Sequence, residues 1–288
     1  MNLDGVHVGA GYPCYAIAEC GINHGGDLAT AKRLITQAAI AGCQAVKFQK
    51  RTVDVVYTQE ELDRPRESPF GTTNGDLKHG LELSLRDYAE IHMHCREQGI
   101  QWFASCWDKR AVDEMDTFAP PCFKIASACL TDHDLISHTC GKMRPIILST
   151  GMSTMDEIDD AVRLINEHGN ELAILHCTST YPAATAELNL RCIPLLAERF
   201  GGVIGYSGHE VGLQTSVAAV ALGAKIIERH ITLDRASFGS DQAASIEPSG
   251  LIRLVRDIRN VEVAMGDGIK RVHDSELPIR DKLRRVPA

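Results

Sequence analysis

The sequence predicts an α/β protein: a single (β/α)8 TIM barrel with short N-terminal and C-terminal extensions. Short apolar runs recur eight times along the chain, and amphipathic helical patterns lie between most of them. Right-handed connections between successive strands favour a parallel sheet, and eight repeats favour closure into a barrel over an open sheet. No Gly-x-Gly-x-x-Gly turn follows the first run, which argues against a dinucleotide-binding open sheet.

Length and composition fit one large globular domain. The chain has 288 residues, and barrels of roughly 250 residues form single domains, so we place the barrel at residues 1–265 and a C-terminal extension at 266–288. The net charge of -8 argues against nucleic acid and anionic membranes as partners. Neither a transmembrane-length apolar stretch nor a signal-peptide pattern is present, so we expect a cytoplasmic protein whose ten scattered cysteines are reduced.

The eight apolar or β-branched runs are the predicted strands. They are Tyr15–Glu19, Ala45–Gln49, Trp102–Cys106, Cys122–Ser127, Pro145–Thr150, Leu172–Thr178, Val203–Gly208 and Lys225–Thr232. The helix after the first run has apolar residues at i, i+3, i+4 and i+7 from Ala31 and stops at Gly42. A capping box at Thr154 and Glu157 starts another, which stops at Gly169. Further helical patterns cover Leu188–Arg199, Leu213–Leu222 and Leu251–Met265.

Two segments lie outside this alternation. Met1–Pro13 precedes the first strand, and we expect it to cover the barrel floor. Tyr57–Gly80 is long and polar, and a connection of that length in a compact barrel is more often functional than accidental.

Polar residues stand at the carboxyl end of almost every predicted strand, where barrels build their active sites. Lys47 and Gln49 are two residues apart on one strand and therefore share a face. Lys47 is either a cation for phosphate or carboxylate or an ion-pair partner of a carboxylate such as Glu19. A second lysine and hydroxyl groups on neighbouring strands complete a predicted anion site: Ser105, Lys124, Ser127, Ser149 and Ser207.

Two histidines and a following loop predict a second half of the site. His209 and His230 end adjacent strands, so they either share a metal ion or are separate core histidines. Two protein nitrogens would leave coordination positions for water and substrate, as a catalytic Lewis acid requires. In the loop after the eighth strand, Asp241 and Gln242 either bind sugar hydroxyls or belong to an ordinary helix-entry loop.

At these residues the chain resembles the sialic acid synthase (N-acetylneuraminate synthase) family, whose members condense phosphoenolpyruvate with an aldose. The resemblance covers about residues 10 to 265 and runs in order through Ala18-Glu19-Cys20-Gly21-Ile22-Asn23-His24, Val46-Lys47-Phe48-Gln49, Lys124-Ile125-Ala126-Ser127, Leu148-Ser149-Thr150-Gly151-Met152, His176-Cys177-Thr178, Tyr181-Pro182, Gly205-Tyr206-Ser207-Gly208-His209 and Glu228-Arg229-His230, followed by Asp241.

The resemblance implies a role for each strand-end residue. Phosphoenolpyruvate would lie against Lys47, Ser105, Lys124, Ser127, Ser149 and Ser207. His209 and His230 would hold a divalent cation, manganese with magnesium or cobalt as substitutes. The sugar would contact Gln49, Tyr181 and Asp241, and Glu19 would handle a proton near the reacting carbons. The expected partners are phosphoenolpyruvate, an aldose and a second copy of the chain in a homodimer.

Three departures from the family pattern concern the acceptor sugar. Ser179 stands where sialic acid synthases typically have Asn, Ala128-Cys129 replaces Gly-Glu, and the small antifreeze-like domain of those enzymes does not follow in this sequence. We therefore expect an unmodified or differently substituted aldose, with contacts from Arg64 and the loop that reaches to Asn74. The alternatives are a Schiff-base aldolase using Lys124 or Lys47 and a non-catalytic sugar-phosphate-binding protein.

Overall fold

The computed structural model describes residues 1–286. Within that range, the strands are β1 (Asn2–Leu3), β2 (Val6–His7), β3 (Tyr15–Gly21), β4 (Ala45–Lys50), β5 (Pro65–Ser68), β6 (Gly71–Thr73), β7 (Gln101–Cys106), β8 (Phe123–Ile125), β9 (Ile146–Ser149), β10 (Leu172–Cys177), β11 (Val203–Gly208) and β12 (Ile226–His230). Each of the eight predicted runs overlaps one of these strands.

Eight of the strands close into a parallel barrel in the order β3, β4, β7, β8, β9, β10, β11 and β12, and β12 pairs with β3 to complete it. Consecutive barrel strands are therefore neighbours in space, and the polar residues at their carboxyl ends meet at one face. The predicted TIM barrel is confirmed. The predicted fourth strand was too long, because a 3-10 turn begins at Ser127 and takes the chain away from the sheet.

The helices of the described residues are α1 (Leu28–Ala41), α2 (Val53–Val56), α3 (Gln59–Asp63), α4 (Asn74–Leu81), α5 (Leu85–Gln98), α6 (Lys109–Asp116), α7 (His133–Cys140), α8 (Met155–His168), α9 (Cys192–Phe200), α10 (Gln214–Ala221), α11 (Pro248–Met265) and α12 (Leu277–Leu283). The predicted capping box of α8 is present, with the Thr154 side chain accepting from the Glu157 amide. Gly42 ends α1 in the left-handed conformation, at φ 82°, as predicted.

The N-terminal segment closes the bottom of the barrel. Strands β1 and β2 form an antiparallel hairpin, and the buried side chains of Leu3 and Val8 pack against Tyr15, Ile17 and other residues that fill the barrel interior. The Gln101 side chain donates to the Leu3 carbonyl at 2.7 Å and ties the hairpin to β7. The predicted floor is confirmed, and it leaves the opposite, carboxyl-terminal face open.

The segment from Tyr57 to Gly80 has secondary structure of its own. Thr58 and Thr73 each cap a helix through a capping box, and strands β5 and β6 pair as a hairpin between the two helices. These local hydrogen bonds satisfy the polar backbone of the segment near the surface, which is how a long insertion can be tolerated in a compact barrel.

Beyond α11, residues 266–286 lie on the surface. They include α12, and each of their side chains is at least partly exposed. The predicted extension runs to residue 288, and residues 287–288 lie outside the described part of the chain. Across residues 1–286, none of the helices combines the length and the apolar character needed to cross a membrane.

Candidate active site

A cavity of about 200 Å³ lies at the carboxyl-terminal face of the barrel. It is lined by Glu19, Lys47, Gln49, Ser105, Trp107, Lys124, Ala126, Ser127, Ala128, Ser149, Met152, Cys177, Ser179, Tyr181, Ser207, His209, Glu228 and His230. These residues come from all eight barrel strands or the loops that follow them. The cavity therefore brings together the predicted lysines, serines and histidines.

Lys47 is buried and paired with two carboxylates. Its ammonium group lies 2.8 Å from Glu19 Oε2 and 3.6 Å from Glu228 Oε1, and it donates to Ser105 Oγ at 2.9 Å. Burial acts to lower the pKa of Lys47, but the two carboxylates outweigh burial and raise it. Lys47 is therefore charged, and the ion-pair alternative is correct for the protein without ligand.

Lys124 is equally buried, but within residues 1–286 it makes no ion pair. Its ammonium group donates to Ser149 Oγ at 2.6 Å and to the Ile125 carbonyl at 3.0 Å. Burial lowers the pKa of Lys124, with a smaller contribution from the Lys47 charge, and the Glu228 carboxylate only partly offsets them. Buried cations are costly unless they are paired, so this position gains most from the arrival of an anion.

The predicted serines surround the two lysines. Ser105 and Ser149 accept hydrogen bonds from Lys47 and Lys124, and Ser207 Oγ donates to Glu228 Oε1 at 3.1 Å. Ser127 Oγ accepts from the Gly151 amide at 3.0 Å. A Cβ atom on Gly151 would lie 2.1 Å from Ser179 Oγ and 2.9 Å from Ser127 Oγ, so a side chain there would displace both hydroxyl groups. Hydroxyl groups beside two buried ammonium groups form a pocket for a small, multiply charged anion.

Gln49 is held at both ends of its side chain. Its Nε2 donates to Glu19 Oε1 at 3.0 Å, and its Oε1 accepts from the Arg51 guanidinium. Because arginine only donates and an ionised carboxylate only accepts, the amide orientation is set by its neighbours. Gln49 keeps one free N–H and one lone pair for a ligand in the cavity.

The two histidines lie side by side, with ring centroids 5.3 Å apart. His209 Nδ1 donates to the Thr178 carbonyl at 2.7 Å, so the lone pair of its neutral ring is on Nε2. His230 Nδ1 is buried, and within the described part of the chain it has no hydrogen-bond partner. Among residues 1–286, no group of three or more metal-ligating side chains is assembled. The two rings therefore offer two nitrogens to a cation, fewer than the three side chains that would by themselves indicate a metal site.

Tyr181 and Asp241 flank the histidine pair. The Tyr181 ring lies 4.1 Å from the His209 ring and 5.6 Å from the His230 ring, measured between centroids. Asp241 does not line the cavity but places Oδ2 at 3.5 Å from His230 Nδ1. Asp241 is thus close enough to orient His230, whereas Tyr181 faces the cavity from its rim.

The structure places two other predicted sugar contacts outside the cavity. Arg64 is on the surface, 65% exposed, and lies 3.6 Å from Glu60, because the capped helix before it turns the chain outward. Gln242 is buried, accepts from the Thr232 hydroxyl and lies near the Asn23 and Phe238 carbonyls. Its amide bonds within the loop after β12. Neither Arg64 nor Gln242 lines the cavity, and their contacts with the sugar stay predictions.

Glu228 and Trp107 are two of the cavity residues that had no role predicted from the sequence. Glu228 lies on β12 two residues before His230 and stands between Lys47 and Ser207. Its position in a Glu-x-His pattern at a strand end was a usable signal. Trp107 directly follows β7, and the Arg51 guanidinium lies 4.5 Å from the centre of its ring. No spacing rule identifies this tryptophan.

Comparison with known proteins agrees with the barrel fold. The NeuB family model matches residues 34–270. The chain is 40% identical to N-acetylneuraminate-9-phosphate synthase of Homo sapiens, over 96% of this chain and 78% of that protein. It is 35% identical to N,N'-diacetyllegionaminic acid synthase of Legionella pneumophila, over 96% of this chain and 80% of that protein.

A solved structure is similar over almost its whole length. It is N-acetylneuraminic acid (sialic acid) synthetase from Leptospira borgpetersenii in complex with citrate, with a TM-score of 0.87, 29% identity and coverage of 99% of this chain and 98% of that one. With the family match and the synthase relatives, this likeness confirms the resemblance drawn from the motifs. The chain belongs to the NeuB family, and it is an enzyme of the synthase class that these relatives represent.

Proposed function

We propose that the protein condenses phosphoenolpyruvate with an aldose to give a 3-deoxy-2-keto sugar acid and inorganic phosphate. The observation that carries the proposal is the pair of buried lysines, one paired and one unpaired, among the serine hydroxyls at the bottom of the cavity. Phosphoenolpyruvate bears a carboxylate at carbon one and a phosphate on the oxygen of carbon two. Two neighbouring anionic groups match a pocket with two neighbouring ammonium groups. The synthase names of the relatives support the same reaction class.

Carbon three of phosphoenolpyruvate forms a bond to the aldehyde carbon of the open-chain sugar. A water oxygen then adds to carbon two, and phosphate leaves from the tetrahedral intermediate as the carbon–oxygen bond breaks. Lys124 and Lys47 hold the phosphate and carboxylate charges throughout, from donors already in place. Glu19, between Lys47 and Gln49, accepts the first proton of the attacking water and passes it to the former aldehyde oxygen, which becomes a hydroxyl group. The second proton of that water leaves with the phosphate as the carbon-two hydroxyl becomes the ketone.

The proposal assigns the cation to His209 and His230. Manganese is the proposed ion, with magnesium or cobalt as substitutes, and when bound it would polarise the aldehyde oxygen of the acceptor. Asp241 orients His230 through its 3.5 Å contact, and Gln49, Ser179 and Tyr181 face the acceptor. One candidate acceptor is an aldose of the N-acetylmannosamine type, bearing or lacking a phosphate, because two relatives are synthases of N-acetylneuraminate 9-phosphate and N,N'-diacetyllegionaminic acid. The other is an unmodified or differently substituted aldose, because Ser179 and Ala128-Cys129 depart from the family pattern.

The test is phosphate release from phosphoenolpyruvate with a panel of aldoses. The panel contains N-acetylmannosamine, its 6-phosphate, mannose and a diacetamido hexose, each assayed after chelation and again with added Mn²⁺. We expect release only with an acceptor present, restored by Mn²⁺. No release with any sugar would contradict the proposal, and sugar binding without turnover would indicate a non-catalytic binding protein.

Lys124 also supports one alternative function, that of a Schiff-base aldolase. A lysine whose pKa is lowered by burial is the usual nucleophile of a Schiff-base aldolase. The rival predicts a covalent pyruvate adduct that borohydride reduces to a stable secondary amine at Lys124. Mass spectrometry after borohydride treatment with pyruvate decides between them, since the proposed condensation leaves Lys124 unmodified.

The lowered pKa of Lys124 predicts a pH dependence. The charged form binds the anion, so the KM for phosphoenolpyruvate should rise as pH increases through that pKa, below the roughly pH 10.4 of an ordinary lysine. Lys47 remains charged there because its two carboxylates raise its pKa. Initial rates between about pH 7 and about pH 10 measure the effect. A KM that stays flat to the ordinary lysine range would contradict it, and Lys124→Arg provides a permanently charged control.

A homodimer remains part of the proposal. The surface segment after α11 exposes several apolar side chains, among them Ile269, Val272 and Leu283. Light scattering on the purified protein measures the mass in solution, and a monomer at micromolar concentration would remove the dimer from the proposal.

A further inference from the structure

A buried ion pair lies behind the two histidines, on the outer side of the barrel wall. Glu210 immediately follows His209, and Arg229 immediately precedes His230 on β12. Successive side chains of a strand point to opposite faces, so Arg229 faces the surrounding helices while His230 faces the cavity. Both Glu210 and Arg229 are 1% exposed. Neither side chain lines the cavity, and the proposed reaction uses neither.

The Arg229 guanidinium binds the chain that follows β11 at several points. Its Nη1 lies 3.0 Å from Glu210 Oε1 and donates to the Gly212 carbonyl at 2.9 Å and to Ser216 Oγ at 2.8 Å. Its Nη2 donates to the backbone carbonyl of Glu210. A single side chain of β12 therefore holds the backbone next to His209 directly.

The Glu210 carboxylate completes the connection. Tyr206, on β11, donates its hydroxyl to Glu210 Oε2 at 2.8 Å, and Thr215 at the start of α10 donates to Oε1. The two charged groups thus join β11, β12 and the first turn of α10. The Ala183 amide donates to the His209 carbonyl at 3.1 Å, so the loop that carries Tyr181 is attached to the same place.

The atoms of the ion pair are packed closely around Gly208. A Cβ atom at that position would lie 2.6 Å from Glu210 Oε2, 2.7 Å from the Tyr206 ring and 3.0 Å from Arg229 Cδ. Gly208 is also the residue that pairs with Arg229 in the register of the two strands. Because Gly208 has no side chain, Glu210 and Arg229 have room to meet at the ends of β11 and β12.

Fold stability alone is a weak explanation for the pair. Replacing a buried ion pair by apolar side chains of similar volume is often neutral or stabilising, because desolvation of the two charges offsets their attraction. The Glu210–Arg229 pair instead has a geometric effect, because it fixes the two backbone segments next to His209 and His230. We propose that the Glu210–Arg229 pair is a positioning element that sets the separation of the two histidines and thereby their affinity for a divalent cation; this rests on the metal site proposed above.

The test measures Mn²⁺ binding by the purified, metal-free full-length chain. The variants are Glu210→Gln, Arg229→Met and the double variant Glu210→Met/Arg229→Met, and the readouts are the Mn²⁺ Kd from electron paramagnetic resonance of free Mn²⁺ and the thermal Tm. We expect each single variant to lower the Tm and to weaken the Kd at least tenfold. The double variant should recover Tm, since no unpaired charge remains buried, but keep the weakened Kd.

Arg144→Met is the matched control. Arg144 pairs with Asp116 at 3.0 Å and donates to the Pro120 carbonyl, away from the cavity. It should lower the Tm without changing the Mn²⁺ Kd.

A wild-type Kd in the folded double variant would overturn the positioning role, even if the single variants fail to fold. Absence of Mn²⁺ binding by the wild type would overturn the metal site and the positioning role together. The two failures are therefore distinguishable.

Discussion

Lys124→Met is expected to remove nearly all turnover while leaving the fold at least as stable as the wild type. The loss should reach about 10³-fold in kcat/KM for phosphoenolpyruvate, comparable to removing a main charge-stabilising donor from an enzyme site. Stability should not fall, because within the described residues Lys124 is a buried cation with no carboxylate partner and methionine fills a similar volume. Phosphate release and thermal unfolding measure the two effects.

Lys47→Met is the informative comparison. It removes the cation between Glu19 and Glu228 and leaves two buried carboxylates side by side, so stability should fall by about 3–5 kcal/mol. Lys142→Met, at a surface pair with Asp113, should change neither turnover nor stability much. If Lys124→Met unfolds the protein as severely as Lys47→Met, Lys124 has a structural partner, and the unpaired-cation interpretation is wrong.

The barrel was predictable because its signals are local and repeated. The capping box at Thr154 and the stop at Gly42 depend on hydrogen bonds and backbone angles within a few residues. The end of the fourth barrel strand was missed because the 3-10 turn at Ser127 depends on how the chain meets the neighbouring strand. Apolar character continues past the last ladder residue and does not mark that point.

The donor half of the site followed from one rule, that strand ends of a barrel converge. That rule predicted that Lys47, Lys124 and the two histidines lie close together, and all four line one cavity. It did not decide whether Lys47 would be paired, because both Glu19 and Glu228 are distant in sequence and their approach depends on barrel closure. Only the three-dimensional structure distinguishes a paired Lys47 from a free one.

The acceptor half was less predictable because loops carry it. Arg64 was expected near the sugar because its segment is long and polar, but capped helices hold that segment together near the surface. Gln242 was expected beside Asp241, yet a 3-10 turn directs its amide into the loop. The side chains of consecutive loop residues do not follow the regular repeat of a helix or a strand, so the sequence does not predict their directions.

The second large effect is expected for His230→Ala. The variant should lose at least about 10³-fold in phosphate release with Mn²⁺ present, because one of two proposed metal nitrogens is removed. Its KM for phosphoenolpyruvate should change little, since the lysines and serines that hold the anion come from other contacts. The Mn²⁺ Kd and the rate after chelation and metal addition are the measurements.

The control for His230→Ala is His94→Ala, because His94 lies on α5 near Thr36 and Lys32 and outside the cavity. Its rate should remain close to that of the wild type. A His230→Ala variant that keeps both wild-type turnover and Mn²⁺ stimulation would show that the metal acts elsewhere. Loss of turnover with an unchanged Mn²⁺ Kd would assign His230 to the acceptor instead, since its unpartnered Nδ1 can also bond to a sugar hydroxyl.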